Sequence, residues 1–314
     1  MAVGQRWAPV RYGKKRGRAA VLRAALRLAI ALSIALTLLL SLVACSGGSS
    51  LPDTTQAPGF DLDSATLALA RLNHYRTLAS VPKVQLDYDL SRDCQKHANY
   101  LKINSVDLRV VGLQAHTEDP HAVGYSAAGA EAGGSSVIYQ GVTAPEAVDN
   151  WMCTLYHRLG LLDPNLLYVG FGSGGGYQVM DVVRGRVGLP YAVSGEALCP
   201  PPGMPDTPRE YKVEIPHPIP GDEVLGVPIT VEFFGAVGDN ILNVQTQLTD
   251  LAADQAVPCY VQWPGEPFLR EWDLDRLIAI IPKQPLAGGR MYRVTVQAWV
   301  DGTPWRAEWD FTTR

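Results

Sequence analysis

WMCTLYHRLGLLDPNLLYVGFG, residues 151–172, passes from an amphipathic helix through a sharp stop into an apolar strand. Thr143 and Glu146 just upstream have the Thr-x-x-Glu spacing of a capping box, with Pro145 in the first turn where a missing N–H costs little. Ala144, Val148, Trp151 and Leu155 then recur on one helical face. Gly160 is a stop, and Asp163-Pro164-Asn165 is turn chemistry. Residues 166–171 predict a buried strand, and the run 172–176 predicts a turn into a hairpin partner at 177–183. His157 falls just past the apolar face, near the mouth of whatever that face packs against.

Residues 1–44 hold eight Lys or Arg and no Asp or Glu. They end in an apolar run and Leu42-Val43-Ala44-Cys45. A basic start, an apolar stretch and small residues before a cleavage point define an export signal. Leu-Val-Ala-Cys resembles a bacterial lipobox, which implies that Cys45 is lipidated and begins the mature chain. The alternative is a single membrane-spanning anchor, for which the length suffices. The Ser/Gly run after Cys45 suits a flexible tether over 45–62. Both readings place the remainder outside the cytoplasm, held to a membrane.

The chain has 27 basic and 31 acidic residues; without the eight at the start, 19 face 31, a net charge near −12. That excludes nucleic acid and anionic lipid surfaces as expected partners. Of the five cysteines, four remain once Cys45 is set aside. An oxidising compartment allows three pairings, of which Cys94–Cys153 and Cys199–Cys259 are expected from their placement in two domains. No Cys-x-x-Cys spacing points to a metal.

A proline-rich run, 199–220, divides the mature chain. It predicts a first domain over 63–188, a stiff linker over 189–210 and a second domain over 211–314. In the first, Asp63 or Ser64 caps a helix running through Arg76, and Asp89 or Ser91 starts another with Cys94, Ala98 and Leu101 on its apolar face. A polar loop carries His116, Glu118 and His121, and 135–139 predicts a short strand. Helices with an antiparallel sheet make an α+β unit, a three-layer α-β-α sandwich.

The ordered set Leu72-Asn73-x-x-Arg76, Lys96-His97-Ala98-x-Tyr100-Leu101, His116-Thr117-Glu118, Gly129-x-Glu131, Trp151-Met152, His157-Arg158 and Val169-Gly170-Phe171-Gly172 resembles the CAP superfamily of cysteine-rich secretory, antigen 5 and pathogenesis-related 1 proteins, most of all its bacterial branch. The resemblance implies a cleft with two histidines and two glutamates, which in some members bind a divalent cation such as zinc or calcium. His116 and His157 match the histidines, and Glu131 matches one glutamate. The other glutamate, three residues after the tryptophan, is here Thr154, and Glu118 is its candidate substitute by proximity to His116.

In the second domain, 211–215, 229–234, 242–248, 257–263, 277–281, 292–300 and 305–311 predict seven short strands, an antiparallel β-sandwich. The closing Tyr292-x-Val294-x-Val296 and Trp309-x-Phe311 resemble bacterial Ig-like modules, which imply a spacer or binding platform.

Imidazole and carboxylate suit zinc, so His116, His157 and Glu131 are the expected metal set; alternatively they hydrogen-bond one another and hold the cleft walls. His97, beside an apolar helix face, is expected to be structural. No nucleophile elbow, phosphate loop or dinucleotide fingerprint is present. The expected function is binding by a membrane-anchored extracytoplasmic lipoprotein, of an apolar small molecule, lipid, envelope polymer or protein. A cation-dependent hydrolase and a purely structural surface protein are the alternatives.

Overall fold

The structure, a computed structural model, describes residues 59–187, 194–221, 224–269 and 274–314. The export signal, Cys45 and the tether up to residue 58 lie outside the described residues. Among the described residues no helix is long and apolar enough to cross a membrane. The chain is α+β, with helices and one sheet in its first half and strands in its second.

Phe60 is buried against Tyr88, with ring centroids 5.3 Å apart. Helix α1 (Leu62–Leu78) is capped by Asp61, whose carboxylate accepts from Ser64 N at 3.0 Å and Ser64 Oγ at 2.7 Å. Strand β1 (Gln85–Leu86) leads to helix α2 (Tyr88–Ile103), capped by Asp87. In both helices an aspartate just upstream of the expected residue does the capping, because it is the one with extended backbone and a free side chain beside the first amides. A single turn, α3 (Leu108–Val111), and a 3-10 turn (Gly112–His116) carry the chain to α4 (Ala127–Gly134). Next come β2 (Ser136–Gln140), α5 (Ala144–Met152), α6 (Tyr156–Leu162), β3 (Tyr168–Gly174) and β4 (Tyr177–Asp181).

These strands form one sheet in the order β1-β3-β4-β2, with β1 parallel to β3 and the other pairs antiparallel. Alternation along the strands divides the core. Val137 and Met180 face α1 and α5, while Ile138, Tyr177 and Val179 face α2. That is the three-layer sandwich. Helix α2 lies directly on β3, where a Cβ at Gly170 would strike the Leu90 backbone and one at Gly172 the Cys94–Gln95 peptide. The glycines of the Gly-x-Gly motif are therefore required by helix–sheet approach. Arg76, fully buried, donates to the carbonyls of Pro82, Leu161, Asp163 and Leu166 and ties α1 to the loop before β3.

The second half builds two four-stranded sheets. One has the order β5-β6-β10-β9, from β5 (Gly195–Cys199), β6 (Ile229–Phe234), β9 (Cys259–Gln262) and β10 (Leu277–Pro282). The other has the order β12-β11-β7-β8, from β7 (Ile241–Asp250), β8 (Gln255–Ala256), β11 (Met291–Val300) and β12 (Thr303–Thr312). Val231 and Ile280 of the first share a core with Val294, Val296 and Phe311 of the second. The opposite face of β10 is also covered: Leu277, Ala279 and Ile281 pack with Leu155 of the α-β-α unit and with Tyr211 and Leu225. Burial on both faces explains why LIAIIP is apolar without alternation. Each buried Leu or Ile in this seam contributes roughly 1.5–3 kcal/mol.

Three expectations are corrected here. Part of the proline-rich stretch assigned to a linker, Gly195–Cys199, is a strand paired antiparallel with β6. Residues 211–215, expected to be a strand, are irregular and turn onto the α-β-α unit, where Lys212 N donates to Cys153 O at 3.2 Å. Finally, Cys94, Cys153, Cys199 and Cys259 are all free thiols. Cys94 belongs to the core under α2 and Cys153 to the core on the opposite face of the sheet. Cys199 and Cys259 lie on β5 and β9, the two edges of a four-stranded sheet. Three strand spacings of about 4.8 Å exceed the ~7 Å Cα limit for a disulfide. Burial pushes the Cys94, Cys153 and Cys259 thiols up to about 12, so they are inert at neutral pH.

Candidate functional site

The capping box that opens α5 is formed: Glu146 Oε2 accepts from Thr143 N at 2.8 Å and from Thr143 Oγ1 at 2.7 Å. The helix does not run on to Gly160 as the apolar spacing predicts. It ends at Met152, and a second helix, α6, starts at Tyr156. The cause lies far away in sequence. Glu214, from the proline-rich run, inserts a fully buried carboxylate at the joint. Its Oε1 accepts from Leu155 N at 2.6 Å, and its Oε2 from Tyr156 N at 2.9 Å and His157 N at 3.3 Å. The amides freed by the break are thereby satisfied.

The same carboxylate holds His157. Glu214 Oε2 lies 3.1 Å from His157 Nδ1, and Thr154 Oγ1 lies 3.3 Å from that nitrogen. Tyr211 Oη donates to Glu214 Oε1 at 3.3 Å. Both Glu214 oxygens are thus saturated, and Nδ1–H of His157 points inward. Its Nε2 edge is the one turned away from this anchor, and the side chain is 19% exposed. The next residue, Ile215, packs beside Gly112, where the 3-10 turn carrying His116 begins. Residues 211–215 therefore touch both the segment that carries His157 and the turn that carries His116.

His116 donates Nδ1–H to Gly133 O at 2.9 Å. Burial holds its pKa below 6.5, against the Gly133 carbonyl, which raises it; electrostatic interactions with His157 and His97 lower it further. The two cleft histidines are therefore within electrostatic reach of one another. Each commits Nδ1 inward.

The two glutamates expected in the cleft are engaged elsewhere. Glu118 Oε1 lies 2.9 Å from His97 Nδ1, and its Oε2 accepts from Ser126 N at 2.9 Å. His97 Nε2 donates to Ala115 O at 2.9 Å, and both side chains are fully buried. His97 is a satisfied structural histidine, as its place on α2 suggests, and Glu118 is its partner. Glu131 stands on the outer side of α4, two-thirds exposed at 67%, with Arg184 Nη1 3.8 Å away. Helical geometry explains this: Ala132 and Gly133 occupy the buried side of α4, so their neighbour turns outward. The expected metal set of His116, His157 and Glu131 is accordingly not gathered. Among the described residues no three His, Cys, Asp or Glu side chains are grouped to hold a metal ion.

Arg158, of the His-Arg motif, is buried and structural. It donates to Met152 O from Nε at 2.8 Å and to Pro228 O from Nη1 at 2.6 Å, bridging α5 to the strand region. His121 pairs with Asp119 on an exposed loop, and His217 stacks edge-on to Tyr211 at 5.0 Å. Glu214 is the site residue that sequence reasoning missed. Its one signal was complementary: Thr154 stands where the resemblance implies a glutamate.

Residues 69–183 match the family model CAP, the Cysteine-rich secretory protein family. No curated protein matches the chain.

Proposed function

Residues 69–183 form a CAP domain, and from that premise we propose that this protein is a membrane-tethered, extracytoplasmic binding protein. Its cleft recognises an envelope component, a lipid, a small apolar molecule or a protein, and performs no hydrolysis. The observation that carries this reading is the state of the carboxylates. Glu214 is buried with both oxygens filled by hydrogen bonds, Glu118 is locked to His97, and Glu131 faces solvent beside Arg184. None is poised to take a proton from water in the cleft. What His116 and His157 offer instead is two imidazoles, each held at Nδ1 by its own partner, whose Nε2 atoms can accept from hydroxyl or N–H groups of a ligand. The basic start, the apolar run and Leu42-Val43-Ala44-Cys45 support export and lipid attachment at Cys45.

One observation favours a second reading. A buried carboxylate on Nδ1 orients His157 as carboxylates orient a general base, leaving Nε2 for a substrate proton. One experiment separates the two. The protein is isolated from membranes, its bound molecules are extracted and weighed by mass spectrometry, and the same sample is assayed against ester and envelope-polymer substrates. A retained molecule without turnover supports binding. Turnover that His157→Ala abolishes while the melting curve is unchanged replaces it with hydrolysis.

A further inference from the structure

The outer face of the sheet β12-β11-β7-β8 carries a hollow of about 260 Å³ that belongs to no part of the histidine cleft. It forms where the β7–β11 register breaks. Gln297 pairs with Gln245, but Trp299 pairs with Leu242, so Asn243 and Val244 together oppose Ala298. Asn243 takes the left-handed conformation, φ 53°, at this bulge. The extra residue bends β7 and leaves a depression beside Ala298. Trp299 stands at its edge, 46% exposed, whereas the other described tryptophans, Trp151, Trp263, Trp305 and Trp309, pack in or against the core.

The chemistry of the lining is specific. Trp299 offers an indole face, and Gln245, Gln297 and Asn243 offer planar amides. No hydrogen bond joins those three amide groups to another described residue's side chain. The charges on the rest of the face cancel locally. Arg306 pairs with Glu308 at 2.8 Å, and Arg293 forks onto Asp310 at 2.8 and 2.9 Å. A neutral surface of this kind attracts neither a polyanion nor an anionic membrane. It is too polar for a lipid chain. One apolar ring face amid amides that both donate and accept is complementary to a pyranose. The sugar's polarised C–H groups stack on the electron-rich indole, while its hydroxyls meet the amides. The hollow lies just under the ~300–1,000 Å³ of drug-sized sites, a size for one ring rather than a folded ligand. An open sheet face lets a chain continue in both directions.

We propose that the hollow bounded by Trp299, Gln297, Gln245 and Arg306 binds a sugar unit of a neutral polysaccharide. The site is independent of the histidine cleft and of whether that cleft binds or hydrolyses.

The test is isothermal titration of the full chain, held in a detergent without a sugar headgroup, with chitotetraose, cellotetraose and maltotetraose. At least one binds saturably near one equivalent and quenches tryptophan fluorescence. Trp299→Ala weakens that binding by about tenfold or more. Trp299→Tyr retains most of it, and the pair Gln245→Ala/Gln297→Ala weakens it by about three- to tenfold. Circular dichroism and melting curves establish that each variant is folded. The proposal is overturned if the folded protein binds none of the three, if Trp299→Ala binds as the parent does, or if only the polyanion dextran sulfate binds.

Discussion

Among the described residues, two histidines rest on fully buried carboxylates, and the two pairs differ in what they leave open. His97 and Glu118 are 21 residues apart, 2.9 Å apart in space and fully buried. Every polar atom of the imidazole is used, because Nε2 donates to Ala115 O. His157 and Glu214 are 57 residues apart in sequence, and the glutamate comes from outside the residues that match the family model. There the carboxylate is saturated but the imidazole, within electrostatic reach of His116, keeps a free edge. A buried pair alone therefore does not mark a site. The open edge, and an anchor brought from another part of the chain, do.

The largest break in this comparison is Glu118→Ala. It strands His97 in a fully buried position and frees Ser126 N, the residue that caps α4. Removing one partner of a buried pair costs about 3–5 kcal/mol, which chemical denaturation reads directly. A loss under about 1 kcal/mol would mean that water enters and the pair is not structural. Glu214→Ala comes next. It removes the acceptor for three backbone amides and His157, but the 19% exposure of His157 lets water replace part of it. The expected cost is about 2–3 kcal/mol. Its signature is local: hydrogen exchange speeds up at Leu155–His157 and along 211–215, while Glu118→Ala leaves those amides alone. Unchanged exchange there would refute the anchoring role of Glu214.

The two pairs also mark how far the sequence could be read. The capping box at Thr143 and Glu146 is local, and it is where spacing places it. The β3–β4 hairpin was legible for the same reason, since glycines and alternating apolar residues act over a few positions. The satisfied state of His97 followed from its place beside an apolar helix face. What failed was non-local. The break between α5 and α6 is invisible in 143–160, because the cap that permits it is a glutamate in the proline-rich run. Strand β5 was hidden by the prolines that follow it, although GEALC pairs along its whole length with β6. The disulfides were inferred from an even count and an oxidising compartment, and neither knows on which face or edge of a sheet a cysteine lies. Glu131 was matched by motif, and only the orientation of α4 shows that it faces Arg184.

A double-mutant cycle sharpens the comparison with a smaller effect. His157→Ala and Glu214→Ala, singly and together, are expected to couple by about 1–2 kcal/mol, as residues in one hydrogen-bond network do. The coupling stays below the cost of Glu214→Ala alone, because Glu214 also caps α6 through backbone amides that His157→Ala does not remove. Coupling equal to the full cost of Glu214→Ala would assign the carboxylate wholly to the imidazole and none of it to the helix.

The smallest expected effect concerns His116. Its folded pKa lies below 6.5 through burial first, with the electrostatic interactions with His157 and His97 adding to it. Above 6.5 the folded and unfolded chains carry the same neutral imidazole, and the group's contribution to stability is complete. As pH falls below 6.5 the unfolded chain takes up a proton that folded His116 refuses, so stability is lost down to the folded pKa. His157→Gln removes one of the two neighbouring imidazoles. The His116 titration, followed by NMR, then moves upward but stays below 6.5, because burial, the leading cause, is untouched. The same shift from His97→Gln would be accompanied by the large stability loss of the buried pair, whereas from His157→Gln it would not. A His116 titration that ignores position 157 would place the two imidazoles outside each other's reach, and the cleft would then no longer present a pair of edges to one ligand.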